Sequence, residues 1–149
     1  NSDEWYLSQL HPRDMQAAFL ELEWNPQANF NGYWNPVGGL GWEDKVRQST
    51  TVDFIGVELQ GEDPHALAEH WASVTDLPIE TDLAAPSIRF NNATLRFVEA
   101  TDGRGAGLGG LDISVSDRQA VLSEAQRRNC YVSDDQVNIC GTRWYLHDS

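Results

Sequence analysis

Two stretches of this 149-residue chain follow one plan at a spacing of 54 residues. In residues 52–76, VDFIGVELQGEDPHALAEHWASVTD, Val57 and Leu59 alternate with Glu58 and Gln60, the period of a half-buried strand. Asp63 then Pro64 offer an N-cap and a proline at the first helical position. Leu67, Trp71 and Val74 follow at helical spacing, and Trp71 is the expected anchor of that helix on its sheet. Residues 109–128, GGLDISVSDRQAVLSEAQRR, repeat the plan: Leu111, Ile113 and Val115 alternate, Asp117 caps, and Val121, Leu122 and Ala125 form the helical stripe. A period of this length is the mark of a duplicated supersecondary unit.

Each strand–helix unit runs on into a hairpin. The first, IRFNNATLRFV, is expected to turn at Asn91-Asn92, residues that tolerate the left-handed conformation of tight turns; the second, VNICGTRWYL, turns at Cys140-Gly141. Residues 51–148 therefore read as two βαββ modules, 51–101 and 108–148, joined by the glycine-rich DGRGAGLGG. A third, partial copy opens the chain. LSQLHPRDMQAAFLELEW reads as strands over 5–10 and 17–23 around a turn at 11–14, with Leu20, Leu22 and Trp24 left without a covering helix. Residues 1–24 are thus a partial module and 25–50 an aromatic, Gly-rich linker, whose Phe30, Tyr33, Trp34 and Trp42 are expected to pack over the sheets.

Tandem modules of this length, each helix opened by an Asp, resemble the vicinal-oxygen-chelate superfamily, which includes glyoxalase I, bleomycin-resistance proteins and extradiol dioxygenases. The opening HPRDMQAAFLELE is similar to the closing segment of methylmalonyl-CoA epimerase-type members. The resemblance implies an α+β, glyoxalase-like domain with sheets curled round a cavity, plus an N-terminal hairpin left from a preceding module. It also implies a divalent metal held by His, Glu or Gln. The metal-binding positions fall here on Gly56 and Gly110 of the early strands and on Arg96 and Tyr145 of the last strands. Glycine has no donor and a guanidinium repels a cation, whereas a mononuclear site needs three or four ligands. No cofactor is therefore expected in residues 51–148, although a longer form of the protein could hold a divalent metal. Glu21 matches the metal-binding glutamate of the closing segment, but its partners would lie in a unit this chain lacks.

Alternation places Glu58, Gln60, Arg89, Arg96, Asp112, Ser114, Asn138, Arg143, Tyr145 and His147 on the face turned away from the helices. Of these, Glu58, Arg96, Asp112, Asn138, Arg143 and Tyr145 are the candidate ligand-binding residues, and no catalytic residue is assigned. Glu58 and Asp112 are repeat-equivalent, so the pair can bind a metal, act as acid and base, or simply neutralise Arg96 and Arg143. His65 and His70, five apart, do not share a helix face. DGRGAGLGG precedes a strand, where a phosphate loop would precede a helix.

Charge excludes further classes. With 10 basic against 23 acidic residues the net charge is −13, so nucleic acid and anionic membranes would be repelled. Cys130 and Cys140 lack CxxC spacing and read as reduced, partly buried thiols of a cytoplasmic protein. The leading expectation is a metal-free domain for a small polar or anionic molecule, or the degenerate half of a larger protein. The competing one is a metal-dependent isomerase, lyase or dioxygenase centred on the missing part and including Glu21. The uncovered hairpin points to a homodimer, and the start at Asn1 rather than Met leaves a removed leader and a truncated reading frame both open.

Overall fold

Asp63 and Asp117 begin the two long helices as the sequence requires. In a computed structural model describing residues 6–24, 43–81 and 84–149, Asp63 Oδ1 accepts the backbone N–H of His65 and of Ala66, both at 3.0 Å. Asp117 Oδ1 accepts that of Ala120 at 2.9 Å. These bonds satisfy amide donors that a helix leaves unpaired in its first turn. The elements are β1 (Tyr6–Leu10), α1 (Pro12–Met15), β2 (Leu20–Trp24), β3 (Thr51–Gly61), α2 (Pro64–Thr75), β4 (Ile79–Glu80), β5 (Ser87–Arg89), β6 (Thr94–Glu99), β7 (Gly107–Val115), α3 (Arg118–Arg127), β8 (Tyr131–Ser133), β9 (Gln136–Ile139) and β10 (Thr142–Asp148).

The eight strands from β3 onward form one sheet in the order β4-β5-β6-β3-β7-β10-β9-β8. The order reads the same from either end, module by module. At the centre β3 and β7 lie antiparallel and form the seam, each flanked by the last strand of its own module in parallel, β6 and β10. This is the α+β, glyoxalase-like arrangement. Each module is βαβββ rather than βαββ, because β4 and β8 add an edge strand after each helix. The glycine-rich stretch also divides differently from the reading above: Gly107, Gly109 and Gly110 lie within β7, so only the residues before Gly107 link the modules.

The helix-side faces make two cores. Leu59, Leu67, Ala68, Trp71, Ile88, Leu95 and Phe97 pack under α2; Ile113, Val115, Leu122, Ala125, Val137 and Leu146 pack under α3. Full burial of such side chains stabilises by roughly 1.5–3 kcal/mol each. The Cys140-Gly141 turn has φ of 54° and 82°, the positive pair a tight hairpin needs. The Asn91-Asn92 turn does without positive φ and closes through Phe90 N–H to the Ala93 carbonyl at 2.8 Å. Cys140, at that second turn, is exposed rather than partly buried.

β1 and β2 form a separate two-stranded sheet, joined by the helical turn α1 where a simple turn was expected. His11 caps this turn, its Nδ1 accepting the Arg13 N–H at 3.0 Å. The hairpin is partly covered, contrary to the reading from sequence. Met15 is only 1% exposed and belongs to the α2 core, against which Leu10, Ala17, Ala18 and Leu20 also pack. The Trp71 indole N–H donates to the Met15 carbonyl at 2.9 Å, and His70 Nε2 lies 2.7 Å from the Asp14 carbonyl. Leu22 and Trp24 do remain exposed. The aromatics Phe30, Tyr33, Trp34 and Trp42 lie outside the described residues. No helix among those described is long and apolar enough to cross a membrane.

Candidate functional site

The seam strands carry acids and the strands beside them carry bases. Register places Glu58 of β3 beside Arg96 of β6, and Asp112 of β7 beside Tyr145 of β10. Glu58 and Asp112 are 3% and 5% exposed, and Gln60 of β3 is fully buried. Burying a carboxylate is costly unless charge and hydrogen bonds replace water, and here they do. Arg96 Nε donates to Glu58 Oε2 at 3.0 Å, while its Nη1 pairs with Asp112 Oδ2. Arg143 Nε donates to Glu58 Oε1 at 2.7 Å and its Nη2 to Gln60 Oε1 at 2.6 Å. The Tyr145 hydroxyl is a third donor to Glu58, 3.1 Å from Oε2. His147 Nε2 lies 2.9 Å from Asp112 Oδ1.

Both arginines bridge the modules. Arg96 belongs to the first module and reaches Asp112 of the second; Arg143 belongs to the second and reaches Glu58 of the first. Burial works to lower the pKa of Arg96, but the charges of Asp112 and Glu58 outweigh it and hold the guanidinium above its ordinary value. The same contest raises Arg143, where the bond to Glu58 leads the opposing causes. Burial, seconded by Glu58, raises the Tyr145 hydroxyl above the usual phenol.

The network extends into the link between modules. Gln60 Nε2 donates to Asp102 Oδ1 at 2.8 Å and to the Gly105 carbonyl at 2.9 Å, and Arg143 Nη1 reaches Asp102 Oδ2 at 3.1 Å. Asp102 was not among the residues expected at the site; an acid in a glycine-rich loop has no periodicity to betray its direction. At the other end a cleft of about 350 Å³ opens, lined by Glu58, Arg96, Asp112, Arg118, Asp135, Tyr145, Leu146 and His147. Arg118 and Asp135 come from the start of α3 and the β8–β9 turn, outside any strand alternation.

Of the six candidate residues, the structure brings together five. Asn138 stands apart, exposed on β9, with no side-chain bond to the network among the described residues. Arg89 is also elsewhere, donating to Glu80 on the sheet edge at 2.9 and 2.8 Å. Glu21 lies on β2 and accepts from Gln9 Nε2 at 2.7 Å.

The two glycine positions have a packing reason. A Cβ on Gly56 would stand 2.8 Å from Asp112 Oδ2, and one on Gly110 would stand 2.8 Å from Tyr145 Cε2 and 3.0 Å from Glu58 Oε1. Side chains there would collide with the charge network itself. Of the four positions at which the resemblance implies metal ligands, two hold no donor, one holds a guanidinium and one a phenol whose proton is held. This set does not fit a divalent cation. Among the described residues no three His, Cys, Asp or Glu are grouped to hold one.

No protein-family model matches the chain, and no curated protein matches it. Solved structures do. Methylmalonyl-CoA epimerase from Mycobacterium tuberculosis aligns at 13% identity and a TM-score of 0.47, over 68% of this chain and 90% of its own. A hypothetical protein from Bacillus halodurans aligns at 10% and 0.48, over 65% and 94%. A methylmalonyl-CoA epimerase variant from Streptomyces coelicolor aligns at 11% and 0.46, over 66% and 95%. At these identities the likeness is one of fold alone.

Proposed function

We propose that this glyoxalase-like domain binds a small polar molecule in the cleft beside the Glu58–Arg96–Asp112 network, without a metal ion. The observation carrying this reading is the Arg96 guanidinium, held between two buried carboxylates at a position where the resemblance implies a metal ligand. The carboxylates are already engaged by arginines, Tyr145 and His147. The cleft offers donors on Arg96, Arg118 and His147 and an acceptor on Asp135. Such a lining suits a small molecule presenting a carboxylate to the bases and a hydroxyl or amine to the acid.

Thermal-shift screening of small hydroxy, amino and keto acids, followed by calorimetry, tests the reading. A ligand should raise the unfolding midpoint as its concentration passes its Kd. Arg118→Ala should weaken it, since Arg118 lines the cleft but lies outside the Glu58 network. If no such acid binds, or binding is indifferent to Arg118→Ala and His147→Ala, the reading fails.

A further inference from the structure

The disagreement between the donor set and a metal centre has a specific origin. Two carboxylates from equivalent places in the repeat converge on one guanidinium: Glu58 through Oε2 at 3.0 Å from Arg96 Nε, and Asp112 through Oδ2 on Arg96 Nη1. The opposite oxygen of Asp112 faces His147 Nε2 at 2.9 Å. The ring of Tyr145 backs the guanidinium, its centroid 4.4 Å from the Arg96 Cζ. Around Arg96 therefore stand two carboxylates and a π face, with the His147 imidazole behind one of those carboxylates, all of them groups that attract a cation.

We infer that Arg96 is a resident cation: it takes, as part of the chain, the place of a divalent ion between the modules, and its removal uncovers a divalent-cation site of Glu58, Asp112 and His147. The inference rests on the reading that the interface works without a metal, but it requires no ligand in the cleft. Charge supplies the reason. With Arg96 present, the buried pair Glu58 and Asp112 is matched by Arg96 and Arg143. Without it, Glu58 keeps Arg143, whereas Asp112 loses its guanidinium and keeps only His147. A low-dielectric pocket left net negative draws a proton or a metal. Two carboxylates and an imidazole supply the three protein donors typical of an open mononuclear site. Among the described residues no ready metal cluster is present, and both carboxylates are taken up by the Arg96 guanidinium.

Chelator-stripped native protein, Arg96→Ala, Arg96→Lys and the double variant Arg96→Ala/Asp112→Asn would be titrated with Mn²⁺. The readouts are the spin-resonance signal of free Mn²⁺ and the thermal unfolding midpoint. Arg96→Ala should melt below the native chain and take up one equivalent of Mn²⁺ at least about 10-fold more tightly than it does. Metal should restore much of the lost midpoint. Arg96→Lys, which keeps a cation, and the double variant, which loses a ligand, should not gain this affinity. Where Arg96→Ala fails to fold, Arg96→Gln keeps bulk without charge, and the same gain is expected of it. If neither variant gains Mn²⁺ affinity, or if the gain survives Asp112→Asn, the inference is overturned. Tight Mn²⁺ binding by the native chain would overturn both this and the metal-free reading; a failed ligand screen alone would leave the resident cation standing.

Discussion

Arg96 and Tyr145 hold equivalent positions in the two modules, and across the seam the guanidinium lies over the phenol ring at 4.4 Å. Tyr145 also donates to Glu58, so its two contributions can be separated. Tyr145→Phe removes only the hydroxyl bond and should cost about 1 kcal/mol. Tyr145→Leu removes the ring as well, and should cost roughly 0.5–2 kcal/mol more for the lost cation–π contact. Urea unfolding of the two variants gives the comparison; equal midpoints would show the stacking to be without energetic weight.

Glu58 receives Arg96, Arg143 and Tyr145 together, and its side chain is 4% exposed. Glu58→Gln preserves shape while leaving both guanidiniums short of a counter-charge. Removing one partner of a buried pair costs about 3–5 kcal/mol, and that loss is expected in denaturant unfolding. Added salt should change it little, because burial limits screening.

Trp71 is 4% exposed and holds the Met15 carbonyl. Trp71→Phe should cost about 1 kcal/mol, the worth of the missing hydrogen bond. Trp71→Ala should cost roughly 3–5 kcal/mol and Met15→Ala roughly 2–5 kcal/mol, as cavity-forming core substitutions do. A Met15→Ala variant as stable as the native chain would mean the hairpin does not dock on α2 in solution.

The acid limb of stability has identifiable carriers. Bonds from Arg127 and then Arg128 lower Glu124 from 4.5 to about 2, and bonds from Arg104 and then Gln60 depress Asp102. Each carboxylate binds its proton less tightly folded than unfolded, so its stabilisation is present above the unfolded value and lost as pH falls through the folded one. Thermal midpoints should therefore decline from about pH 4.5 downward. Arg127→Ala with Arg128→Ala should flatten part of that decline. Tyr145 runs the other way: its raised pKa contributes stability below the unfolded value that is lost as pH rises through the folded one.

Phe19, Leu22 and Trp24 of the hairpin segment are 50%, 48% and 53% exposed, while Met15 is buried. Exposed apolar groups on a two-stranded edge favour pairing with a second copy. Sedimentation equilibrium should give a dimer for the native chain and a monomer for Phe19→Lys/Leu22→Lys, which leaves Met15 in place. A monomeric native chain at tens of micromolar, roughly the range where weak two-fold contacts show, would end the idea.

Much of the architecture was legible because its signals are local. Aspartate before α2 and α3, period-two alternation in β3 and β7, and the shared spacing of both modules identify the fold without long-range information. β4 and β8 escaped because strands of two and three residues carry no period. The site was legible as a face: alternation alone puts Glu58, Asp112, Arg96, Arg143 and Tyr145 on one side of the sheet. Which partners meet was not legible, since that depends on register across the seam. The same limit hid Met15, whose burial depends on a helix more than 50 residues away in the chain.

The placing of acids on the two seam strands and arginines on the strands outside them has a mechanical consequence. Prising β3 from β7 would shear each arginine off a carboxylate on the far side before the two apolar cores, one under each helix, are disturbed. The interface is then brittle rather than compliant. Parting the modules strips Asp112 of Arg96 and Glu58 of Arg143, two cross-module ion pairs lost at the one seam.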